Sequence, residues 1–198
     1  KILARKNSQT LAILGTGALC VPMVQAHASV HTFKNILIWG RQKSKALEAV
    51  ADLKTLGIES NYSEDLEETL NQADVVAAAT TATEPFILSK WLKPGTHLGL
   101  IGAFTPQMAE AEPALMNKVQ VFADNRAAVL EKGGEIYQAI QQGILLPSSI
   151  EAELAELASS PSRSWRKDDQ AITRIIVLFS LSAVTVISTT VLLKASAI

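Results

Sequence analysis

The sequence predicts an α/β fold: a doubly wound parallel sheet with helices on both faces. Three observations carry this. Short apolar segments alternate six times with segments of helical character. The connections between them are short. The first apolar segment also runs directly into Gly15-Thr16-Gly17, a turn suited to leading a buried strand into a helix.

Thr10-Leu11-Ala12-Ile13-Leu14 is an apolar run with glycine at its end, as buried parallel strands have. A helix is expected over 18–32 and a second strand over 35–39. An amphipathic helix over 43–56 is closed by Gly57. A weaker strand is expected over 58–62, then a helix over 63–70 whose early turns hold Glu67 and Glu68, favoured there by the helix dipole. Further strands are expected over 74–80, 96–102 and 119–124, the last followed by a helix to about Glu131. Beyond Gly143 the alternation stops, and Pro147-Ser148-Ser149 and Ser159-Ser160-Pro161-Ser162 flank one expected helix over 150–158. The chain divides into the alternating α/β unit, 1–146, and a carboxyl-terminal segment, 147–198.

Composition excludes some functions. With 18 Lys and Arg against 19 Asp and Glu, the net charge of −1 makes no electrostatic case for nucleic acid or an anionic membrane. The single cysteine, Cys20, rules out an internal disulfide and suits a reducing compartment. The opening Lys1–Lys6 shows no initiator Met and no apolar signal region, so a cytoplasmic protein is expected. Residues 175–193 carry no charge over 19 positions, enough by length for a membrane span. Six of them are Ser or Thr and ten are β-branched, which favours a buried strand and adjoining core helix.

The chemistry concentrates at the ends of the predicted strands. In Gly15-Thr16-Gly17 the first glycine permits the tight turn, and the second lets backbone N–H groups approach a pyrophosphate at a helix N-terminus. A glycine turn without a ligand is the plainer alternative. The third glycine of the usual fingerprint is Cys20, read here as a packed small side chain. After the second strand, a domain built for NAD generally presents a carboxylate to the ribose hydroxyls. This sequence offers Arg41, Gln42, Lys43, Ser44 and Lys45, which suits a 2′-phosphate and hence NADPH, with a solvated basic helix start as the alternative. Thr80-Thr81-Ala82 and Ile101-Gly102 end the fourth and fifth strands, where ligands bind in open α/β sheets. There Thr80 or Thr81 would bond a cofactor ribose and Gly102 would admit a nicotinamide; ordinary connecting turns are the alternative. His27 and His31 lie one helical turn apart without a third ligand, so no metal site is expected.

The stretch from Leu11 to Gly134 resembles the ornithine cyclodeaminase/mu-crystallin family. The resemblance rests on LAILGTGA (11–18), IWGRQKSKA (38–46), ADVVAAATTATEPFIL (73–88), WLKPGTHLGLIGA (91–103) and, more weakly, EAEPALM (110–116). It implies a Rossmann-type cofactor domain, a separate substrate and dimerisation domain, and a homodimer. It places Ala18 and Leu19 at the pyrophosphate and Arg41 and Gln42 at the adenosine 2′-phosphate. Thr80, Thr81 and Ala82 would line the cofactor, Ile101 would lie beside the nicotinamide, and Ser180 would contact the cofactor. It names no catalytic residue in this sequence.

The departures from the family pattern direct the expected activity. Where the cyclodeaminases carry an Asp just after Gly102-Ala103, this sequence has Phe104, with Gln107-Met108 in place of Gly-Lys. A phenyl ring moves no proton, so the resemblance points to the Δ1-pyrroline-2-carboxylate reductase branch. That branch reduces a small cyclic imino acid, Δ1-pyrroline-2-carboxylate or Δ1-piperideine-2-carboxylate, with NADPH or NADH. A cyclodeaminase-type lyase and a non-catalytic, crystallin-like NADPH-binding protein are the other readings. The family's amino-terminal substrate domain has no counterpart before Lys1, so a truncated chain is expected, with 147–198 a remnant returning toward that domain.

Overall fold

The computed structural model describes residues 2–160, 165 and 174–177. Among these, eight strands form one parallel sheet: β1 (Thr10–Leu14), β2 (Asn35–Trp39), β3 (Asn61–Tyr62), β4 (Val75–Ala78), β5 (His97–Leu100), β6 (Gln120–Ala123), β7 (Ile150–Glu153) and β8 (Arg174–Val177). Their order is β3-β2-β1-β4-β5-β8-β6-β7. Six α-helices accompany them among the described residues: α1 (Cys20–Ala28), α2 (Lys43–Thr55), α3 (Leu66–Gln72), α4 (Arg126–Lys132), α5 (Gly134–Gln141) and α6 (Leu154–Ser159).

Strand β1 is central because it pairs with β2 on one side and β4 on the other. All five of its residues are buried. Leu11 and Ile13 join a core cluster with Met23 and Val24 of α1 and Leu53 of α2, whereas Ala12 and Leu14 join Leu70, Ile136 and Ala139. The alternation of side chains across a strand thus feeds two apolar layers, one on each face.

The alternating elements follow the sequence reading with shorter bounds. Helix α1 begins at Cys20, because residues 15–19 are used in the turn, and it stops at Ala28 rather than 32, where Ser29 Oγ donates to the Ala26 carbonyl at 2.9 Å. Helix α2 ends as expected at a glycine: Gly57 has φ +73° and donates to the Lys54 carbonyl, while Ile58 donates to that of Leu53. Helix α3 is capped by Asp65, whose Oδ1 accepts from Glu68 N at 2.8 Å, so it starts later than Ser63.

Three features differ in kind. The helix expected over 150–158 begins as a strand, since Ile150 and Ala152 point inward with a period of two while Glu153 caps α6. Helix α5 has no counterpart in the sequence reading. Strand β8, which opens at Arg174 and leads into the apolar run from 175, lies between β5 and β6 and pairs with both. The sheet therefore continues past residue 146. No helix among the described residues is long and apolar enough to cross a membrane.

At the amino-terminal edge of the sheet one carboxylate gathers four donors. Asp74, just before β4, accepts from Arg5 Nη2 at 2.7 Å, Gln9 N at 2.7 Å and Thr10 N at 3.0 Å, and pairs with Lys93 Nζ at 2.8 Å. Burial alone would raise this carboxyl. The hydrogen bond from Lys93 and the two amides outweigh burial and hold it below the usual carboxylate range. Such a group stabilises the fold above the unfolded-state value of 3.8 and ceases to as pH falls through the lower folded-state value. Asp74→Asn is expected to cost about 2 kcal/mol at neutral pH. In thermal melts the deficit should shrink toward zero in strong acid.

Candidate functional site

The carboxyl ends of β1, β2 and β4 meet at a cleft of about 820 Å³, lined by residues 15–17, 39–42, Lys45 and 79–86. This is the switch point of the sheet, where the strand order reverses about β1. Gly15 turns the chain out of β1 at φ +110°, and its N–H donates to the Trp39 carbonyl at 2.9 Å. A Cβ at Gly15 would stand 2.6 Å from the Ala79 carbonyl oxygen. Gly17 is the opposite case: a Cβ there would meet nothing within 4 Å. Its missing side chain serves no contact inside the chain and leaves open space at the mouth of α1.

That helix begins without a side-chain cap, and no acidic residue lies in its first turn. Cys20 N already donates to the Gly17 carbonyl at 3.0 Å and Pro22 carries no N–H. No described hydrogen bond engages the N–H groups of residues 16–19, so the turn entering the helix is what favours an anion. Ala18 and Leu19 form the turn entering the helix, outside the residues that line the cleft. Cys20 packs in the core, and burial pushes its thiol up to about 11, so it stays protonated.

The basic residues after β2 separate into two groups. Arg41, Gln42 and Lys45 are exposed and line the cleft. Lys43 turns away, with Nζ 3.8 Å from Glu64 Oε2 and 5.3 Å from the centre of the Tyr62 ring. Among the described residues neither Arg41 nor Lys45 has an ion-pair partner. Trp39 and Phe86 stack in the wall of the cleft, their rings 5.6 Å apart and inclined at 21°.

Across the cleft, Thr80, Thr81 and Ala82 follow β4, and Thr80 Oγ1 accepts from Ala82 N at 3.3 Å. Ile101 and Gly102 follow β5 but are not among the residues lining the cleft. Gly102 is buried, and a Cβ there would collide with the Thr80 carbonyl oxygen and the Glu110 carboxylate. Its small size therefore serves packing between the β4 and β5 ends. Phe104, two residues on, is half exposed. Ser180 lies outside the described residues. His27 Nδ1 bonds the Met23 carbonyl at 2.8 Å and His31 Nε2 that of Ser8 at 2.6 Å, so each ring is occupied by a backbone partner.

Two glutamates that the sequence reading passed over lie behind this edge. Glu110, fully buried, accepts from Thr80 N at 2.6 Å and Gly102 N at 2.8 Å. Glu135, also fully buried, accepts from Glu110 N at 2.6 Å through Oε1, while its Oε2 has no hydrogen-bond partner among the described residues. Burial raises both carboxyls. Glu110 has amide donors on both oxygens as a partial offset; Glu135, further raised by the Glu110 charge, is pushed up to about 7. Ala109-Glu110-Ala111-Glu112 gives no periodic sign of burial, and Glu135 follows two glycines that read as a break, so only a three-dimensional arrangement identifies them.

The sheet order, the switch-point cleft and the glycine turn define a Rossmann-type dinucleotide-binding fold. The ornithine cyclodeaminase/mu-crystallin family model matches residues 1–190, and the chain belongs to that family. It is 34% identical over 172 residues to a Δ1-pyrroline-2-carboxylate reductase of Paracoccus denitrificans, covering 85% of this chain and 54% of that protein. It is 29% identical over 159 residues to the ketimine reductase mu-crystallin of Mus musculus, covering 80% of this chain and 48% of that one. Among solved structures it resembles the Thermococcus litoralis Δ1-pyrroline-2-carboxylate reductase in complex with NADH and L-proline. There the TM-score is 0.84 at 25% identity, over 98% of this chain and 61% of that one. The chain thus spans about half the length of the curated relatives it matches.

Two stability predictions follow from these contacts. Gly15→Ala, which combines a positive φ with overlap on Ala79, should cost at least about 2 kcal/mol, whereas Gly17→Ala should stay within about 0.5 kcal/mol of the parent in denaturant melts. For Glu135 the folded chain keeps, between pH 4.5 and about 7, a proton that the unfolded chain releases. Its contribution to stability therefore falls as pH rises through that window and levels off above it. Glu135→Gln should match the parent near pH 4 and exceed it by about 3 kcal/mol near pH 8; equal stability at both pH values would contradict this.

Proposed function

We propose that this chain carries the cofactor-binding part of an NAD(P)H-dependent imine reductase with a preference for NADPH. The proposed substrate is a small cyclic ketimine such as Δ1-pyrroline-2-carboxylate or Δ1-piperideine-2-carboxylate, reduced to proline or pipecolate, and the proposed assembly is a homodimer. The observation that carries the reading is the layout of the cleft: an uncapped helix mouth beside the open face of Gly17, flanked by Arg41 and Lys45 without ion-pair partners among the described residues.

The strand spacing supplies the scale. From β2 across β1 and β4 to β5 is three interstrand steps, roughly 14 Å. An extended dinucleotide fits that reach with its adenosine at β2, its pyrophosphate at the Gly15–Gly17 turn and its nicotinamide toward β4 and β5. Arg41, with Gln42 and Lys45, would then hold the 2′-phosphate, a guanidinium gripping it through paired N–H groups. Backbone N–H groups of Thr16, Gly17, Ala18 and Leu19 would face the pyrophosphate. Thr80, Thr81 and Ala82 would line the ribose, with Ile101 and Ser180 proposed beside the nicotinamide half.

The bound cofactor supplies a hydride; the chain's part is to orient it and exclude water from the reacting carbon. Phe104, half exposed beyond β5, favours imine reduction over cyclodeamination because it offers no group that exchanges protons. The relatives' names support the same reaction class.

Energy transfer from Trp39 in the cleft wall to a bound nicotinamide gives a direct binding signal. NADPH should bind more tightly than NADH. Arg41→Asp should reverse the order, weakening NADPH by about a hundredfold, the scale of losing a bidentate charged contact and gaining a repulsive one. Gly17→Ala should weaken both cofactors by about tenfold or more without lowering the melting temperature. Unchanged affinities in Arg41→Asp would overturn the proposed 2′-phosphate site.

A further inference from the structure

We infer that Glu110 is a positioning residue that sets how the nicotinamide half of a dinucleotide is held and leaves the adenosine half alone. This rests on reading the cleft as a nicotinamide dinucleotide site.

The β4–β5 ladder ends at the pairing of Ala78 with Leu100, and the Ile101 N–H makes its last bond, 2.9 Å to the Ala78 carbonyl. Beyond that point Thr80 N and Gly102 N have no strand partner, and unpaired N–H groups inside a protein are costly. The Glu110 carboxylate supplies both acceptors, one oxygen to each strand end. Gly102 makes room for it, since any side chain there would strike the Glu110 carboxylate and the Thr80 carbonyl.

The backbone of Glu110 holds the other end of the same loop. Its carbonyl accepts from Phe86 N at 3.0 Å and Ile87 N at 2.9 Å, while its own N–H is fixed by Glu135. The loop from Thr80 to Phe86, one wall of the cleft, is therefore tied at both ends to one residue. Arg41, Gln42 and Lys45 belong to the β2 side, and none of them touches Glu110 through a described hydrogen bond or ion pair.

Glu110→Gln separates positioning from simple loss of structure. A glutamine presents one acceptor and one NH₂, and the NH₂ faces a backbone N–H it cannot bond. NADPH affinity should fall by about tenfold or more, while adenosine 2′,5′-bisphosphate, which lacks the nicotinamide half, should bind within about twofold of the parent. Equal losses for both ligands in a folded variant, or no loss for either, would overturn the inference. Should Glu110→Gln not fold, amide exchange in the parent chain decides. Thr80 and Gly102 should exchange slowly, and NADPH but not adenosine 2′,5′-bisphosphate should slow them further; exchange at exposed-loop rates counts against the clamp. Failure of the parent to bind any of these ligands would overturn the dinucleotide reading itself, while slow exchange at Thr80 and Gly102 would still support the clamp.

Discussion

The geometry of the carboxyl edge depends on how closely β1 and β4 approach at Gly15. The Ala79 amide donates to the Leu14 carbonyl at 3.0 Å, and the next carbonyl along, that of Ala79, lies where a side chain at position 15 would start. Only glycine allows this contact together with a φ of +110°. Because the strands meet so tightly, the chain leaving β1 must turn sharply, and α1 begins directly above the sheet edge. The uncapped helix mouth, the open face of Gly17 and the cleft between the β2 and β4 ends all follow from that turn. A looser junction would put the helix N-terminus elsewhere and leave the basic residues after β2 without an opposing wall.

Two buried carboxylates organise the two edges of the same sheet, with opposite electrostatics. Asp74 holds the amino-terminal edge with Arg5 and Lys93 as cations, and its affinity for a proton falls. Glu110 holds the carboxyl-terminal edge with neutral amides, and burial raises its affinity for a proton. The difference would suit the proposed dinucleotide site: a cation packed behind the β4 and β5 ends would draw phosphate away from the helix mouth. Amide donors fix the backbone without adding a competing positive centre. The cost is a second buried acid, Glu135, with one oxygen unpartnered among the described residues.

How much of this was legible in the sequence varied with the kind of signal. The six apolar segments were readable because a parallel strand covered on both faces must be apolar at nearly every position, as β1, β4 and β6 are. The α2 stop at Gly57 was readable from local chemistry. Residues 150–153 were misread because Ile-Glu-Ala-Glu suits a helix by propensity, and only pairing with β6 makes them a strand. Helix α5 was missed because Gly133-Gly134 looks like a break. In the fold Gly133 ends α4 and begins α5, and Gly134 packs on the carbonyls of Thr105 and Met108. In the site, the glycine turn and Arg41 were visible as motifs, but proximity in the chain could not separate Lys43 from Lys45. Both lie in the first turn of α2, where two residues are about 200° apart around the helix axis, so one faces Glu64 and the other the cleft.

The same distinction explains why Glu110 and Glu135 were not singled out as site residues, although Glu110 opens the segment EAEPALM. A motif marks residues that face a ligand, since the ligand's chemistry limits which residue types serve. Residues behind the ligand-facing layer are limited by the protein's own unpaired backbone groups, and many local sequences could satisfy those. Glu110 is of this second kind: what selects it is the end of the β4–β5 ladder, where two N–H groups face inward with no strand to receive them. The edge that would hold the nicotinamide is therefore set by a hydrogen-bond requirement of the sheet, and Gly102 is small because a carboxylate occupies the space beside it.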